Sequence, residues 1–266
     1  MIQISNQHLI VTMTQEGGTL TSIRDAKTGR EYLWQGDPAY WTGQAPNLFP
    51  FVGRLYEKTY TLHGKAYPMT IHGFVRHAQM TVEEEQEASC CFLLTDSPET
   101  LAVYPYRFAF RIRYALEGPV LQVAFQVENR SEEPLYCGMG GHPGFNVPLE
   151  EGLTFEDYEL TFPEACTPRQ VVFSPALQVA PERPAYPLKR DGSSPCAMNC
   201  LTWTPWFSPE RPGRSPCPLP RAAMGSLWPI LRCPMWASGT SPRLTRPMCA
   251  SSPGPFSPGV TIWWKN

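Results

Sequence analysis

The stretch 107–130, "RFAFRIRYALEGPVLQVAFQVENR", decides the fold class of this chain. Apolar side chains occupy every second position in both of its halves: Phe108, Phe110, Ile112 and Tyr114 in the first, and Leu121, Val123, Phe125 and Val127 in the second. A period of two is the pattern of a β-strand that buries one face. The Glu-Gly-Pro sequence between the halves is a turn signal. The stretch therefore predicts an antiparallel β-hairpin.

Five further segments have the same strand-like composition, rich in Val, Ile, Thr, Phe and Tyr: "HLIVTMT" (8–14), "LTSIRD" (20–25), "TYTLHG" (59–64), "QMTVEEE" (79–85) and "SCCFLLTD" (89–96). No window long enough for an ordinary helix has an amphipathic helical pattern. Many antiparallel strands with one alternating face predict stacked sheets. We therefore expect an all-β fold, a large antiparallel β-sandwich.

Length and charge exclude several classes of protein. The chain has 266 residues and a formal charge of -2, which gives no reason to expect nucleic acid or an anionic membrane as a partner. The N-terminal stretch lacks the regions of a signal peptide, and no run of about 18 apolar residues predicts a membrane span. The four cysteines of 1–191 form no CxxC pair, which favours reduced, buried thiols: Cys90, Cys91, Cys137 and Cys166. We expect a soluble, cytoplasmic protein, and the oligomeric state stays open.

The composition changes abruptly near Asp191. Residues 1–191 contain 23 acidic and 15 basic residues, whereas 192–266 contain a single acid, Glu210, and seven bases. The same 75 residues hold 14 of the 30 prolines, six of the eight tryptophans and five of the nine cysteines. Disordered segments are poor in apolar residues, so this is not the usual composition of disorder. We predict a truncated β-sandwich domain over 1–191 and an aberrant tail over 192–266, incomplete or disordered.

Two segments with polar side chains interrupt the strand pattern in the first third of the chain. In "APNLFPFVGRL" (45–55), Arg54 follows a glycine and could donate its planar guanidinium to sugar hydroxyls or a carboxylate, or could pair with a surface acid. In "TIHGFVRHA" (70–78), His72 stands beside a glycine, whereas His77 looks more exposed. A histidine in such a place is either structural or functional.

A third segment, "GMGGHPGFNVPL" (138–149), places three glycines before His142 and a Pro-Gly pair after it. Such backbone is costly inside a strand, and it favours a kink that presents the imidazole ring into a cleft. Four aromatic side chains lie near these segments and could stack on a pyranose ring or pack in the core: Trp34, Tyr40, Trp41 and Phe74.

Five segments, in family order, resemble the aldose 1-epimerase (galactose mutarotase-like) family, most closely its bacterial LacX-type branch: "GGTLTSIRDAKTGREYLWQGDPAYW", "APNLFPFVGRL", "IHGFVR", "YPYRFAFRIRYAL" and "GGHPGFNVPL". The resemblance implies a galactose mutarotase-like supersandwich with an open sugar cleft and no metal or organic cofactor. It also implies an isomerase that interconverts the anomers of a hexose such as galactose or glucose. On this pattern His142 matches the general acid, and Arg54 and His72 match residues that bind the sugar oxygens.

The family also needs an Asp that binds hydroxyls and a Glu that acts as general base near the C-terminus. After Asp191 the only acid is Glu210, in "FSPERPG", which matches no family motif. We therefore expect impaired activity. Two alternatives remain: a non-catalytic carbohydrate-binding protein and a hexose-6-phosphate 1-epimerase. A genuine Pro-rich interaction segment is a further interpretation of the tail.

The tail has the composition expected of a GC-rich coding sequence read in the wrong frame. Back-translation of "PMWASGTSP" (234–242), read from the third base of its codons, permits Tyr-Val-Gly-Leu-Trp-His-Lys-Pro, a motif that the family resemblance implies here. At the same offset "PMCASSPG" (247–254) permits Tyr-Val-Cys-Ile-Glu-Pro-Trp, which contains the missing base, and "CLTWTPW" (200–206) permits Pro-Asp-Met-Asp-Ala-Met. We therefore place a frame break at about residues 191–192.

Overall fold

The computed structural model describes residues 1–161, 167–175, 180–185, 193–195, 206–210 and 236–238. Within these ranges the chain consists mainly of antiparallel β-strands, with one short α-helix, α1 (Pro98–Val103), and three single-turn 3-10 helices, at Tyr56–Lys58, Val75–His77 and Phe155–Asp157. None of the described helices has the length and apolar character needed to cross a membrane.

Strands are numbered in chain order. The first eight are β1 (Ile2–Ser5), β2 (Leu9–Met13), β3 (Leu20–Asp25), β4 (Asn47–Leu48), β5 (Thr59–Leu62), β6 (Lys65–Pro68), β7 (Thr81–Gln86) and β8 (Ser89–Thr95). The next eight are β9 (Phe108–Glu117), β10 (Val120–Asn129), β11 (Gly140–Gly141), β12 (Glu159–Thr161), β13 (Thr167–Val171), β14 (Ser193–Pro195), β15 (Trp206–Glu210) and β16 (Trp236–Ser238). All seven strand segments predicted from the sequence, the two of the hairpin and the five others, are confirmed.

The predicted hairpin is the centre of a four-stranded sheet in the order β10-β9-β8-β7. Strands β9 and β10 pair over ten residues each, in continuous antiparallel register from Val120 opposite Glu117 to Asn129 opposite Phe108. A three-stranded sheet has the order β1-β2-β3, and two-stranded pairs form between β4 and β11 and between β5 and β6.

One hydrophobic core joins the two larger sheets. Buried side chains from β2 and β3 belong to the same cluster as those of β8, β9 and β10. At its aromatic centre, the Phe49 ring stacks on Phe110 with centroids 4.5 Å apart and planes at 7°. The Phe110 ring in turn stacks on Phe125 at 6.0 Å and 5°. The two sheets therefore pack as a sandwich, because each contributes its apolar face to the same core.

Cysteines of the described ranges carry free thiols. Cys90 and Cys91 are buried and Cys137 is partly buried, whereas Cys166 lies outside the described residues. Burial raises the pKa of the Cys90 thiol to about 12 and that of Cys91 to about 11. The expectation of buried thiols therefore holds for the adjacent pair Cys90 and Cys91, and neither is poised to react as a thiolate.

Three short strands of the tail pair with the body of the chain. β14 and β16 flank β12, and β15 pairs with β13. The remainder of 192–266 lies outside the described residues. The expectation that this region is incomplete or disordered concerns those residues and stays a prediction.

Candidate functional site

A two-residue strand, β4, holds the segment that carries His142. Asn47 and Leu48 pair with the glycines of β11, and the next residue, His142, donates its backbone N–H to the Pro46 carbonyl at 3.0 Å. The glycine run predicted to bend the chain before His142 therefore forms a very short strand that ends at the histidine.

The same stretch of backbone also holds the segment that carries His72. Phe49, directly after β4, forms a parallel bridge with Gly73. Its carbonyl accepts the N–H of Phe74 at 3.0 Å and that of Val75 at 3.2 Å. Residues 46–49 are thus a common support for two histidine segments that lie 70 positions apart in the sequence.

Because of this shared support, the two histidine rings meet. The imidazole centroids of His72 and His142 are 5.6 Å apart, with ring planes at 60°. Both side chains are partly buried. The structure thus brings together two of the three residues that the sequence singles out as site candidates.

Backbone hydrogen bonds set the protonation state of His72. Its own N–H donates to the Gly53 carbonyl at 2.9 Å, and the Gly53 N–H donates to His72 Nδ1 at 3.0 Å. An Nδ1 that accepts a hydrogen bond carries no proton, so the neutral ring holds its proton on Nε2. Burial, together with the nearby charges of His142, Arg76 and Arg54, lowers the pKa of His72 to about 4. At neutral pH His72 is therefore a neutral donor through Nε2–H.

The backbone at His72 is left-handed. His72 has φ 67° and Gly73 has φ 75°, and a Cβ on Gly73 would lie 2.1 Å from the Phe49 carbonyl oxygen. A non-glycine residue in this conformation is strained, and such residues concentrate at functional sites. Glycine at position 73 is required for the close approach of the two segments.

The ring of His142 lies between His72 and an indole. Its centroid is 5.3 Å from that of Trp41, with planes at 54°. Burial lowers the pKa of His142 below the ordinary value of 6.5, and a hydrogen bond with backbone opposes the shift. His142 is therefore mainly neutral at pH 7.

Arg54 is exposed. It lies beside His72 because Gly53, the residue directly before it, forms two hydrogen bonds with His72. Its charge contributes to the low pKa of His72. Among the described residues no acid forms an ion pair with Arg54, which disfavours the interpretation as a surface pair. His77, by contrast, is exposed and faces Glu16, with 3.9 Å between Nδ1 and Oε1.

Only one of the four candidate aromatics contacts a site histidine in the described structure. Phe74 packs in the core against Phe49, with centroids 6.0 Å apart. Tyr40 is 82% exposed and contacts Trp34 edge-on at 6.2 Å. Trp41 alone reaches His142. Core packing was therefore the correct interpretation for Phe74, and stacking on a ligand stays open for Trp41.

The polar contacts beneath the site were not predicted from the sequence. The buried Asn47 amide donates through Nδ2 to the carbonyls of Gly17 at 2.9 Å and Gly18 at 3.0 Å. Tyr114, on β9, donates its hydroxyl to the same Gly18 carbonyl at 2.7 Å. A cavity of about 50 Å³ is lined by Asn47, Tyr114 and His142 together with apolar neighbours. The one local signal was an Asn within an apolar run, preceding a Pro-interrupted segment.

Arg76 is a second cation that sequence reasoning passed over. Its Nε is buried and has no hydrogen-bond partner among the described residues. A buried polar atom without a partner is unusual and calls for an explanation. In the described ranges, no group of three or more His, Cys, Asp or Glu side chains could hold a metal ion.

Comparisons with known proteins agree on the family. The Aldose 1-epimerase family model matches residues 1–181. Two curated proteins of Lactococcus lactis subsp. lactis, the plasmid and chromosomal forms of Protein LacX, are each 43% identical over 169 residues, covering 61% of this chain and 56% of their own length. The chain thus spans about half the length of the curated relatives it matches.

Two solved structures share the fold. The galactose mutarotase related enzyme from Lactobacillus acidophilus is 36% identical, with a TM-score of 0.69, covering 73% of this chain and 64% of that one. A galactose mutarotase-like protein from Lactobacillus casei is 28% identical, with a TM-score of 0.68, covering 73% of this chain and 67% of that one. The prediction of an all-β, galactose mutarotase-like antiparallel β-sandwich is confirmed.

Proposed function

The chain belongs to the aldose 1-epimerase family, and from this premise we propose that its site is that of a sugar 1-epimerase which interconverts the α and β anomers of a hexose. The observation that carries the proposal is the meeting of His72 and His142, with centroids 5.6 Å apart beside Arg54. Two imidazole rings meet there, and the charge of Arg54 acts on His72, which suits a ligand that presents several oxygens close together.

His142 acts as the general acid in this proposal. Protonated His142 gives its proton to the ring oxygen of the pyranose while the bond between C1 and that oxygen breaks. A carboxylate base takes the proton of the C1 hydroxyl, and the aldehyde forms. Rotation about C1–C2 and the reverse proton transfers close the ring as the other anomer, so no atom is gained or lost.

His72 and Arg54 bind the sugar oxygens rather than transfer protons. With a pKa of about 4, His72 stays neutral through the working range and offers a fixed Nε2–H donor. The planar guanidinium of Arg54 can donate two parallel hydrogen bonds. Both groups are suited to hold the ring oxygen and its neighbours beside His142.

This chain is proposed to be impaired because it lacks the general base. Glu210 is the only acid after Asp191, and it lies outside any motif of the family. The end of the family match at residue 181 and the shift in composition near Asp191 support a frame break between 1–191 and 192–266. Loss of one acid–base group costs about 10²- to 10⁴-fold in rate. Burial lowers the pKa of His142, which further reduces the fraction of its acid form.

Two measurements test the proposal. Nucleotide sequencing across codon 191 detects the frame break directly, and an unbroken original frame together with an active protein would disprove it. A variant gene with one nucleotide inserted near that codon reads the alternative frame. Polarimetry of freshly dissolved D-galactose and D-glucose should show fast mutarotation with the frame-restored protein and little with the present chain. Equal rates for the two proteins would refute the missing-base argument.

Arg76 favours one second candidate, a hexose-6-phosphate 1-epimerase. The Arg76 Nε is buried and has no hydrogen-bond partner among the described residues, and the charge of Arg76 lowers the pKa of His72. These two observations support a further cation near the site, as a phosphorylated sugar requires. The frame-restored protein would then have a much higher kcat/KM for galactose 6-phosphate or glucose 6-phosphate than for the free sugar. A non-catalytic carbohydrate-binding role would instead give sugar binding without any anomerisation by that protein.

The buried thiols of Cys90 and Cys91 are in keeping with a reducing, cytoplasmic setting.

A further inference from the structure

We propose that Trp41 forms one wall of the sugar site and stacks on the apolar face of the pyranose ring. The inference rests on the proposed function, since it takes the site at His142 to bind a sugar. It adds a binding residue to the three that the family pattern implies, and the structure selects it from the four aromatic side chains that the sequence left open.

The position of the indole relative to the proposed acid carries the inference. The centroids of Trp41 and His142 lie 5.3 Å apart. A sugar oxygen that accepts a hydrogen bond from the imidazole would lie about 2.8 to 3.0 Å from its nitrogen. A pyranose ring attached to that oxygen can then contact the indole. Pyranose rings present C–H groups on their faces, and these pack well against an aromatic surface.

Hydrogen bonds hold the loop that presents the indole. The Trp41 N–H donates to the Asp37 carbonyl at 2.9 Å, and the Trp34 Nε1–H donates to the Trp41 carbonyl at 2.7 Å. Asp37 also accepts the Ala39 N–H through Oδ1 at 2.8 Å. The Trp41 backbone is therefore fixed from both sides, which reduces the entropy that the side chain would lose on binding a ligand.

Two glycines leave room for the indole. A Cβ at Gly43 would lie 2.5 Å from Trp41 Cζ2, and a Cβ at Gly144 would lie 2.9 Å from Trp41 Cζ3. Gly144 follows His142 by two residues and its N–H donates to the Gln44 carbonyl at 2.8 Å. A side chain at either position would displace the indole. The segment after His142, which contains Gly144, and the loop that contains Gly43 therefore both leave space for the ring.

Among the four aromatics, Trp41 differs from the others in its contact with His142. Trp41, Trp34 and Phe74 are all partly exposed, but Phe74 contacts the aromatic core, Trp34 contacts Tyr40, and Tyr40 projects almost fully into solvent. An indole held partly exposed beside a polar histidine gains less from burial than a core residue. The same exposure leaves apolar surface for a ligand to cover.

Ligand-observed NMR with the full chain and D-galactose or D-glucose tests the proposal. Saturation of the Trp41 indole protons, identified by their absence in Trp41→Phe, should transfer to the C–H protons of the sugar. Titration should show Trp41→Leu weakening binding about tenfold, and Trp41→Phe weakening it less, because a smaller ring still offers a flat face. Tyr40→Leu removes the neighbouring aromatic, which does not contact His142, and should leave the affinity unchanged.

The possible outcomes separate the two claims. Sugar binding by the wild type with equal affinity in Trp41→Leu would overturn the role of Trp41 and leave the proposed function standing. No binding by the wild type would overturn both. Thermal unfolding of each variant checks that it is folded, and should Trp41→Leu not fold, the saturation transfer in the wild type and the affinity of Trp41→Phe decide the question.

Discussion

Replacement of Gly73 by alanine is expected to destabilise the protein more than an ordinary left-handed glycine replacement. At φ 75° an alanine costs about 1–2 kcal/mol from backbone strain alone. In addition, its Cβ would lie 2.1 Å from the Phe49 carbonyl oxygen and 2.7 Å from the Pro50 nitrogen. Neither atom belongs to a flexible side chain, and Cβ atoms essentially never approach closer than 3.0 Å, so the two segments must separate by at least 0.9 Å.

Gly29 provides a matched control for the strain. It has φ 74°, nearly the same as Gly73, but a Cβ there would meet no atom within 4 Å. Gly29→Ala should therefore lower the free energy of unfolding by the strain alone, about 1–2 kcal/mol. Gly73→Ala should lower it by a further 1–3 kcal/mol or so, the usual cost of overpacking. The difference between the two variants measures the close approach of the histidine segment to Phe49.

Urea denaturation followed by circular dichroism gives the two free energies of unfolding. Nitrogen-detected NMR of the imidazoles adds a local readout, because separation of the segments should break the hydrogen bond from the Gly53 N–H to His72 Nδ1. Equal destabilisation by Gly29→Ala and Gly73→Ala, with an unchanged His72 signal, would refute the reasoning.

Three further predictions follow from the site and the residues beneath it. NMR titration should give His72 a pKa of about 4, below the ordinary value of 6.5. Because the unfolded chain then takes up the proton first, the free energy of unfolding should fall as the pH drops from about 6.5 to about 4. His72→Gln should flatten that pH dependence. Asn47→Leu should lower the free energy of unfolding by about 1–3 kcal/mol, since two buried carbonyls lose a donor. Tyr114→Phe should lower it by only about 1 kcal/mol, because Asn47 still donates to the Gly18 carbonyl. Equal losses for the two variants in urea denaturation would contradict this ranking. In the frame-restored protein His142→Gln should reduce kcat for mutarotation by about 10²- to 10⁴-fold with a smaller change in KM, and a large rise in KM at constant kcat would assign His142 to binding instead.

Local patterns were sufficient for the strands. The alternation in 107–130 predicted β9 and β10 almost to the residue, and "LTSIRD" (20–25) coincides with β3. This worked because a strand with one buried face must alternate whatever its partners are. The turn at "DAKTGR" (25–30) could also be read locally, since the Asp25 carboxylate accepts the N–H groups of Lys27 and Thr28.

The site was predictable only in part. Breaks in the strand pattern marked Arg54, His72 and His142 as candidates, and the family resemblance assigned their roles, which remain proposals. The contribution of Asn47 could not be predicted, because its partners are the carbonyls of residues 17 and 18, about 30 positions away, which no local pattern connects to it. The distinction between Trp41 and Phe74 was equally out of reach, since both are aromatic residues beside a site motif.

The sequence by itself determined the all-β class, the strand positions, the family and the change in composition near Asp191, because each depends on residue type and spacing along the chain. Only the tertiary structure showed that the rings of His72 and His142 meet. Their contact depends on backbone pairing of both segments with residues 46–49, which brings positions 70 residues apart to a ring separation of 5.6 Å. Such pairing is set by the packing of the whole sandwich around its core, and no short stretch of sequence contains it.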